Sequence, residues 1–310
     1  MSITLIWSTL ILGLLYGLLV LGVFLTFRIL NYADLSVDGS LPLGAAITAT
    51  LIFNGMNPFL ATLLAIPLGA LAGLITGILH TRFSITPLLS GILTMIGLYS
   101  INLRIMSRPN VTLLRHDTIF DLLASATGLS LRLSQTVVAL AVIVATVVGL
   151  YLFLNTELGQ ALRGTGDNEV MLRSLGVNTD RMKILGLAIS NALVALSGAM
   201  IAQYQGFADI NMGIGMIIIG LASVIIGEVA LGVRSIFGRL CAVVAGSILY
   251  RLAIALVLRI SFIDYTDLKL FTALLVTIAL ISPEISKKFR PAPNLALLEH
   301  KTGGVERAGN

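Results

Sequence analysis

Nine apolar runs, separated by short polar connections, constrain the fold of this 310-residue chain more than any other feature. A helix that crosses a membrane needs about 20 predominantly apolar residues, and most of the runs approach that length. The runs lie near residues 5–27, 42–54, 58–79, 85–106, 133–154, 183–204, 212–232, 236–258 and 268–282. Hydrophobic residues make up 57% of the chain and charged residues only 11%. We therefore predict an all-α polytopic membrane protein with about nine transmembrane segments, within a range of eight to ten.

The distribution of lysine and arginine predicts how these segments are oriented, because cytoplasmic loops carry an excess of both. If every run crosses, the N-terminus lies outside and the C-terminus inside. If the short run 42–54 is re-entrant instead, eight spans remain and the N-terminus moves to the cytoplasmic side. Residues 1–290 then form the transmembrane domain. Residues 291–310 combine proline, glycine and mixed charges without periodicity, and we expect them to be a disordered cytoplasmic tail.

A polar segment interrupts the apolar sequence near residues 31–42 and predicts a broken helix there. Polar side chains at membrane depth are costly, and they usually face a cavity or the protein interior. The segment supplies four candidates for the translocation path, namely Asp34, Ser36, Asp38 and Ser40. The alternative is an ordinary interfacial turn in which Asp38 or Ser40 caps the following helix.

Two charged residues in later runs also need an explanation. Arg251 follows Arg239 by about 18 Å if the span is helical, so we expect it deep in the membrane. It is a fifth candidate for the translocation path, or else a structural partner of a carboxylate or carbonyl group. Glu228 closes the preceding run near its cytoplasmic end. Because the two charges lie at different depths, we expect that they do not pair within one subunit.

The segment 156–182 lies between two long apolar runs and is too polar to cross a bilayer. Asp167 precedes a helical pattern that continues to Leu175, and Gly176 supplies a C-terminal stop. Asn178 or Thr179 begins the next helix. Apolar side chains stand among the charges. We predict a short helix at residues 166–176 that lies along the membrane and docks on a partner protein; the alternative is a loop that is only solvated.

The sequence contains no recognisable arrangement of catalytic residues. The three histidines are far apart in the sequence, and no Cys/His spacing indicates a metal site. The sequence contains neither a phosphate-binding G-x-x-x-x-G-K-[ST] motif nor a G-x-S-x-G motif. Cys241 is the one cysteine, so no disulfide forms within the chain. We expect a protein without enzymatic activity, cofactor or nucleic-acid partner.

Three stretches resemble a known family of membrane proteins. The pattern Arg163-x3-Asp167, followed by Ser-Leu-Gly-Val-Asn-Thr-Asp-Arg at 174–181, resembles the coupling loop of ABC-importer permeases of the branched-chain amino acid class. The polar break at 33–40 is similar to an element of ribose-type sugar permeases in the same superfamily. The stretch 220–228 resembles a branch in which some members are tied to aromatic amino acid uptake. The similarity extends over about residues 10–285.

This resemblance implies a type II-like permease subunit of an ATP-driven importer in the bacterial cytoplasmic membrane. Its partners would be ABC ATPase subunits, a periplasmic or lipid-anchored binding protein and a second permease copy, with a homodimer as the simplest arrangement. The residues that couple to the ATPase would be Arg163, Asp167, Leu172, Leu175, Gly176, Asn178, Asp180 and Arg181.

The solute would be a small organic compound such as an amino acid. Asp38 and Glu228 depart from the better-known branches of the superfamily, so the resemblance does not identify that solute. The alternative function is an ion- or proton-coupled secondary transporter that uses Asp34, Asp38, Glu228 and Arg251.

Overall fold

The computed structural model describes residues 3–233 and 235–257, together with residues 270, 272–274, 276 and 277. These residues form eleven α-helices, a π-helical turn and two short strands. The helices are α1 (Ile3–Phe24), α2 (Val37–Phe53), α3 (Pro58–Thr81), α4 (Pro87–Met106), α5 (Ile119–Thr127), α6 (Leu131–Asn155), α7 (Glu157–Asp167), α8 (Glu169–Ser174), α9 (Thr179–Gln205), α10 (Met216–Leu231) and α11 (Ile236–Val257). The π-helical turn Leu25–Ile29 continues α1, and the strands are β1 (Asn110–Thr112) and β2 (Phe207–Asp209). The tail at 291–310 lies outside the described residues, as does most of the run 268–282.

Six of these helices are long and apolar enough to cross a membrane, namely α1 with its π-helical turn, α3, α4, α6, α9 and α11. The apolar helices α2 and α10 are shorter, with 17 and 16 residues. The expectation of an α-helical membrane protein is confirmed, whereas nine crossing segments are not. Both shorter helices follow a stretch of non-helical backbone. The length of an apolar run therefore does not give the length of the helix within it.

Helices α1 and α9 form the centre of the molecule, because most of their residues are buried while α4 and α6 are mostly exposed. They run antiparallel. The hydroxyl of Ser190 donates to the carbonyl of Gly22, and that of Ser197 donates to the carbonyl of Leu15. These hydrogen bonds satisfy buried hydroxyl groups and set the register of the central pair.

Glycines at helical spacing allow the helices around this pair to approach closely. A Cβ atom at Gly73 of α3 would lie 2.1 Å from the Leu187 carbonyl oxygen of α9. Gly69 and Gly77 face α9 in the same way. In a membrane such small residues permit tight packing where no hydrophobic drive between helices exists. These glycines therefore serve packing within the chain.

Helices α9, α10 and α11 repeat the arrangement of α1, α2 and α3, but the repeated unit runs in the opposite direction through the molecule. Each set consists of a long helix, a non-helical break, a shorter helix and another long helix. Helix α3 packs antiparallel on α9, and α11 packs antiparallel on α1. Inverted repeats of this kind are common in transporters. The sequence showed no repeat of fixed period, because the correspondence lies in the arrangement of elements.

One end of the molecule carries a small non-membrane structure that departs from the all-α expectation. Strands β1 and β2 pair antiparallel, with Val111 opposite Ala208. Helix α5 begins at a reciprocal capping box between Thr118 and Asp121. Helices α7 and α8 lie at the other end, where α6 ends. The start of α1 is tied to the start of α6 by a 2.9 Å hydrogen bond from Trp7 to Thr136, so it lies at the end away from α7.

Candidate functional site

The polar break after α1 extends over residues 30–36 rather than the predicted 31–42. The π-helical turn widens the end of α1, and α2 begins at Val37. Pro42 therefore lies inside α2, where it is buried. Because proline has no backbone N–H, it leaves the carbonyl of Asp38 without its helical donor. Gly213 packs closely over this carbonyl, since a Cβ there would lie 1.9 Å from the oxygen.

Three of the candidates for the translocation path form a buried network with Asn191 of α9. The Asp34 carboxylate accepts hydrogen bonds from the Ser36 backbone N–H at 2.9 Å and from the Asn191 amide at 2.8 Å. The Ser36 hydroxyl also donates to Asp34. The Ser40 hydroxyl donates to the Asn191 carbonyl oxygen at 2.6 Å. At most 1% of Asp34, Ser36 or Ser40 is exposed, so in this conformation the network anchors the break to α9.

Asp38, the fourth candidate in the break, caps a helix that is distant in sequence. Its carboxylate accepts from the backbone N–H groups of Gly215 at 2.8 Å and Ile217 at 2.9 Å, at the start of α10. The alternative in which Asp38 or Ser40 caps its own helix α2 is therefore wrong. The N-cap position of α2 is Ser36, and no side-chain cap is formed there. Asp38 is only partly buried, and its carboxylate satisfies backbone groups that the end of the irregular 210–215 segment leaves without helical partners.

A cavity of about 440 Å³ lies beside Asp38, between α2, α4 and the 210–215 segment, and we refer to it as the Asp38 cavity. Its lining is mainly apolar, with a few polar residues: Asp38, Ser100 and Asn102. The volume falls within the range of about 300–1,000 Å³ that is typical of small-molecule sites. Sequence analysis missed Asn102 as well as Asn191. Their only signal is a polar amide inside an otherwise apolar run.

Arg251, the fifth candidate, lies away from this cavity. Its guanidinium group stacks over the ring of Tyr16 at 3.5 Å and lines a separate cavity with Leu5 and Ser8 near the start of α1. Glu228 forms an ion pair with Arg28 at 3.0 Å. The expectation that Glu228 and Arg251 do not pair is therefore confirmed.

The segment 156–182 contains two short helices, α7 and α8, where the residue pattern predicted one short helix at 166–176. Asp167 ends α7, and the predicted helix at 166–176 is limited to α8, residues 169–174. The reason is Asn168, whose extended backbone interrupts the helix while its side chain accepts from the Met171 N–H. Gly176 has a φ of +84°, which is typical of a glycine that ends a helix. Asn178 caps α9 through the Arg181 N–H, as expected.

Ion pairs hold α8 against the start of α9. Glu169 binds Lys183 and Arg173, each at 2.8 Å, and Arg173 also binds Asp180 at 2.9 Å. The hydrogen bonds from Lys183, reinforced by the nearby positive charges, hold the pKa of the Glu169 carboxyl below its ordinary value. The hydroxyl of Thr179 joins the same cluster. Asp180 therefore positions Arg173, which leaves α8 fixed relative to a membrane-crossing helix.

The outer surface of this segment is apolar. Val170 is 80% exposed, Leu175 68% and Met171 56%, although all three are hydrophobic. Leu172 turns the other way and packs near Gly164 of α7. Among the predicted coupling residues, Leu175 thus lies on the exposed surface, whereas Leu172 faces the interior and packs against α7. Arg181 is exposed and Arg163 is partly buried on α7.

Helix α7 contacts the polar break directly. A Cβ at Gly166 would lie 1.8 Å from the carbonyl oxygen of Ile29, so the end of α7 rests on the π-helical turn. At Gly186 of α9, an added Cβ would meet Leu30 and Leu162. The apolar surface of α8 is therefore connected through packed backbone to the segment that carries Asp34.

Comparison with known proteins agrees with this arrangement. The sequence matches the family described as branched-chain amino acid transport system / permease component over residues 5–281. The chain is 45% identical over 264 residues to the tyrosine transport system permease protein of Clostridioides difficile, with 85% of this chain and 86% of that protein covered. It is 37% identical to an uncharacterized protein of Rickettsia prowazekii, with 85% and 92% covered. It is 27% identical to the ribose import permease protein of Haemophilus influenzae, with 68% and 65% covered. No solved structure shows significant similarity to the chain.

The central helix pair, the two breaks and the exposed helix between membrane spans define a polytopic membrane permease. The chain belongs to the family of branched-chain amino acid transport system permease components. It is a transport subunit of an ATP-driven import system rather than an enzyme. The family implies separate ATPase and substrate-binding partners.

Proposed function

We propose that this chain is the permease subunit of an importer in the bacterial cytoplasmic membrane and that its solute is an amino acid with an aromatic or apolar side chain. An external binding protein delivers the solute, and an ATPase on the cytoplasmic side drives its passage. The identity of the solute class rests on the 45% identity to a tyrosine transport system permease. The mechanical part of the proposal rests on α8.

The observation that carries the coupling role is the combination of a rigidly held helix and an unpartnered apolar surface. Ion pairs to Arg173 and Lys183 fix Glu169 in α8, yet Val170 and Leu175 remain exposed. Exposed apolar clusters rimmed by charges are typical of protein–protein contacts. Docking of the ATPase on this surface buries Val170, Met171 and Leu175. Movement of the ATPase then displaces α8 together with α9.

Helix α9 transmits this displacement to the polar break. Asn191 of α9 holds Asp34 and Ser40, so a shift of α9 changes the position of the break and the start of α2. Asp38 follows on α2, and its bonds to Gly215 link α2 to α10. In this mechanism Asp34, Ser36 and Ser40 are coupling elements within the membrane, while Asp38 faces the solute path.

We infer that two copies of this chain form the complete pathway. Each copy offers one α8 surface, and ABC importers of the class that the sequence resembles combine two ATPase subunits with a permease dimer. Light scattering on the purified protein, combined with the mass of bound detergent and lipid, measures the number of copies. A single permease copy per lipid nanodisc that, when joined to its partners, still hydrolyses ATP in response to the loaded binding protein contradicts this inference.

ATP-dependent uptake of labelled L-tyrosine into proteoliposomes tests the proposed function. The vesicles contain the permease and its ATPase, and the binding protein is added outside. Uptake is expected to require hydrolysable ATP and to persist when ion gradients are collapsed. Uptake that follows a proton or sodium gradient without ATP indicates the secondary-transporter alternative instead.

Leu175→Asp tests the role of the α8 surface. A carboxylate in an apolar contact is costly to desolvate, so ATPase association and uptake are expected to fall at least tenfold, about 1.4 kcal/mol. Leu114→Asp is the matched control for ATPase association, because Leu114 is 86% exposed and lies in the loop after β1, at the opposite end of the molecule. Equal uptake by both variants and unchanged ATPase association contradict docking at α8.

A further inference from the structure

We propose that the Asp38 cavity binds the ammonium group of the transported amino acid, with Asp38 and Asn102 as the two acceptors. This inference rests on the proposed function and adds the chemistry by which the permease recognises its solute. It assigns a ligand contact to Asn102, a residue of α4 that sequence analysis did not identify as functional. The argument starts from the hydrogen bonds of these two side chains.

Asn102 presents a buried acceptor that has no partner among the described residues. Its amide nitrogen donates to the carbonyl oxygen of Gly39 at 3.1 Å. This bond fixes the orientation of the amide, since the reverse orientation would bring two acceptor oxygens together. The Oδ1 atom is buried without a hydrogen bond, and only 1% of the residue is exposed. An unpaired buried carbonyl is unfavourable. Because Asn102 lines the Asp38 cavity, a ligand that donates a hydrogen bond would favour a small side-chain movement that turns Oδ1 toward the cavity.

Asp38 supplies negative charge and spare acceptor capacity to the same cavity. Each carboxylate oxygen accepts one backbone hydrogen bond, from Gly215 or Ile217. An ionised carboxylate accepts about four hydrogen bonds, so both oxygens retain capacity toward the cavity. The two backbone donors hold the carboxylate at the N-terminus of α10. The carboxylate is therefore held in place by the protein, and its charge is available to a ligand.

The rest of the lining favours an ammonium group next to an apolar side chain, and it leaves the solute's carboxylate at the exposed side of the cavity, where the hydroxyl group of Ser100 can donate to it. The cavity wall contains no lysine, arginine or histidine among the described residues. Met95, Ile214 and the ring of Tyr99 form apolar surface in the same cavity. An ammonium group has three donors, which match the Asp38 carboxylate and the Asn102 carbonyl. An apolar or aromatic side chain then contacts Met95 and Ile214.

Charge-selective labelling of a cysteine in the cavity tests this assignment on the purified permease without its ATPase. Cys241 is replaced by alanine, and Ser100→Cys places a single thiol in the cavity lining. The rate of modification by a cationic aminoethyl methanethiosulfonate is compared with the rate for the anionic sulfonatoethyl reagent. Ser125→Cys, on exposed α5, is the matched control position. The cation preference at residue 100 is expected to exceed that at residue 125 by about fivefold, the effect of one nearby charge.

Two variants test whether Asp38 and Asn102 cause this cation preference. Asp38→Asn is expected to abolish the preference at residue 100 and leave residue 125 unchanged. Asn102→Asp adds a second carboxylate and is expected to increase the preference, and it remains informative if Asp38→Asn does not fold. A cation preference equal to that at the control position in the native background overturns the proposal, as does a preference that neither variant changes.

Protection from labelling tests the ammonium contact itself. L-phenylalanine is expected to slow modification at residue 100, whereas 3-phenylpropionate, which has the same ring and carboxylate but no amine, is expected to give no protection. Equal effects of the two compounds, or no effect of L-phenylalanine, overturn the ammonium assignment. These outcomes are independent of uptake. ATP-driven uptake without selective protection leaves the proposed function intact, whereas selective protection without ATP-driven uptake refutes the function and supports the site.

Discussion

The carboxylate of Asp38 accepts a 2.8 Å hydrogen bond from the backbone N–H of Gly215, a residue 177 positions away in the sequence. Each residue follows a stretch of non-helical backbone, one before α2 and the other before α10. The two breaks therefore meet at a single carboxylate. Transporters place their solute sites where discontinuous helices meet, because unpaired backbone groups and helix ends are available there. The neighbouring Asp38 cavity has this position in the present fold.

We predict that Asn191→Ala destabilises the protein by about 1–3 kcal/mol, since it leaves buried polar groups of Asp34 and Ser40 without a partner. Asn211→Ala is the control, because Asn211 is exposed. Thermal unfolding of both variants in the same detergent measures the difference. Equal melting temperatures would show that the network around Asp34 contributes nothing to stability.

Gly73→Ala is expected to disturb the contact between α3 and α9. The added methyl group would lie 2.1 Å from the Leu187 carbonyl oxygen, which belongs to rigid backbone, so the helices must separate. Such overpacking costs about 1–3 kcal/mol. The matched control is Gly97→Ala on α4, where no atom lies within 4 Å of the new methyl group. Gly73→Ala should lower the melting temperature, whereas Gly97→Ala should leave it unchanged or raise it. The reverse order would contradict the packing described for α3.

Glu169→Gln is expected to loosen α8 from α9 and to increase hydrogen exchange of the α8 amides. Because folding lowers the pKa of Glu169 from its ordinary value of 4.5, its stabilising effect is present above that value. It is lost as the pH falls through the lower pKa of the folded state. The pairs are partly exposed, so the effect should also weaken at high salt. Glu157→Gln on α7 is the control, and equal exchange in both variants at neutral pH argues against the ion-pair cluster.

The effects of Arg251→Leu and Glu228→Gln on stability are expected to be additive within about 0.5 kcal/mol, because the two residues contact different partners. Arg251→Leu removes the stacking on Tyr16. Glu228→Gln removes the ion pair with Arg28, which is worth about 0–1 kcal/mol at this exposure. A double-mutant cycle on thermal unfolding measures the coupling. A large coupling energy, or rescue of Arg251→Leu by Glu228→Gln, would mean that the two charges interact.

The segment around α8 shows how far local signals in the sequence extend. Asn178 and Gly176 were assigned correctly, because helix caps depend on a few neighbouring residues. The helix at 166–176 was predicted too long, since Asn168 was not recognised as a cap that separates α7 from α8. The direction of Leu172 was also missed. Which face of a short helix is covered depends on the helix against which it packs, here α7.

The polar break shows which features the local sequence does not predict. The sequence located the break to within a few residues, because carboxylates and serines are exceptional in apolar surroundings. It did not predict that Asp34 binds Asn191 or that Asp38 caps α10, since these partners are about 155–180 residues away. The strands β1 and β2 were also missed. They have three residues each, and both their pairing and their packing against α2 join residues that are distant in the sequence.

The sequence by itself determined that this protein is an α-helical membrane protein with a polar break and an exposed helix between spans. Those properties follow from composition, apolar run length and local capping, which act on residues close together along the chain. Only the tertiary structure decided which polar side chains are locked in the core and which face a cavity. Asp34 and Asp38 are four positions apart and chemically identical, yet one anchors α9 while the other caps α10 beside Asn102. The difference arises from the packing of distant helices, because burial and hydrogen-bond partners are set by what the fold brings next to each side chain.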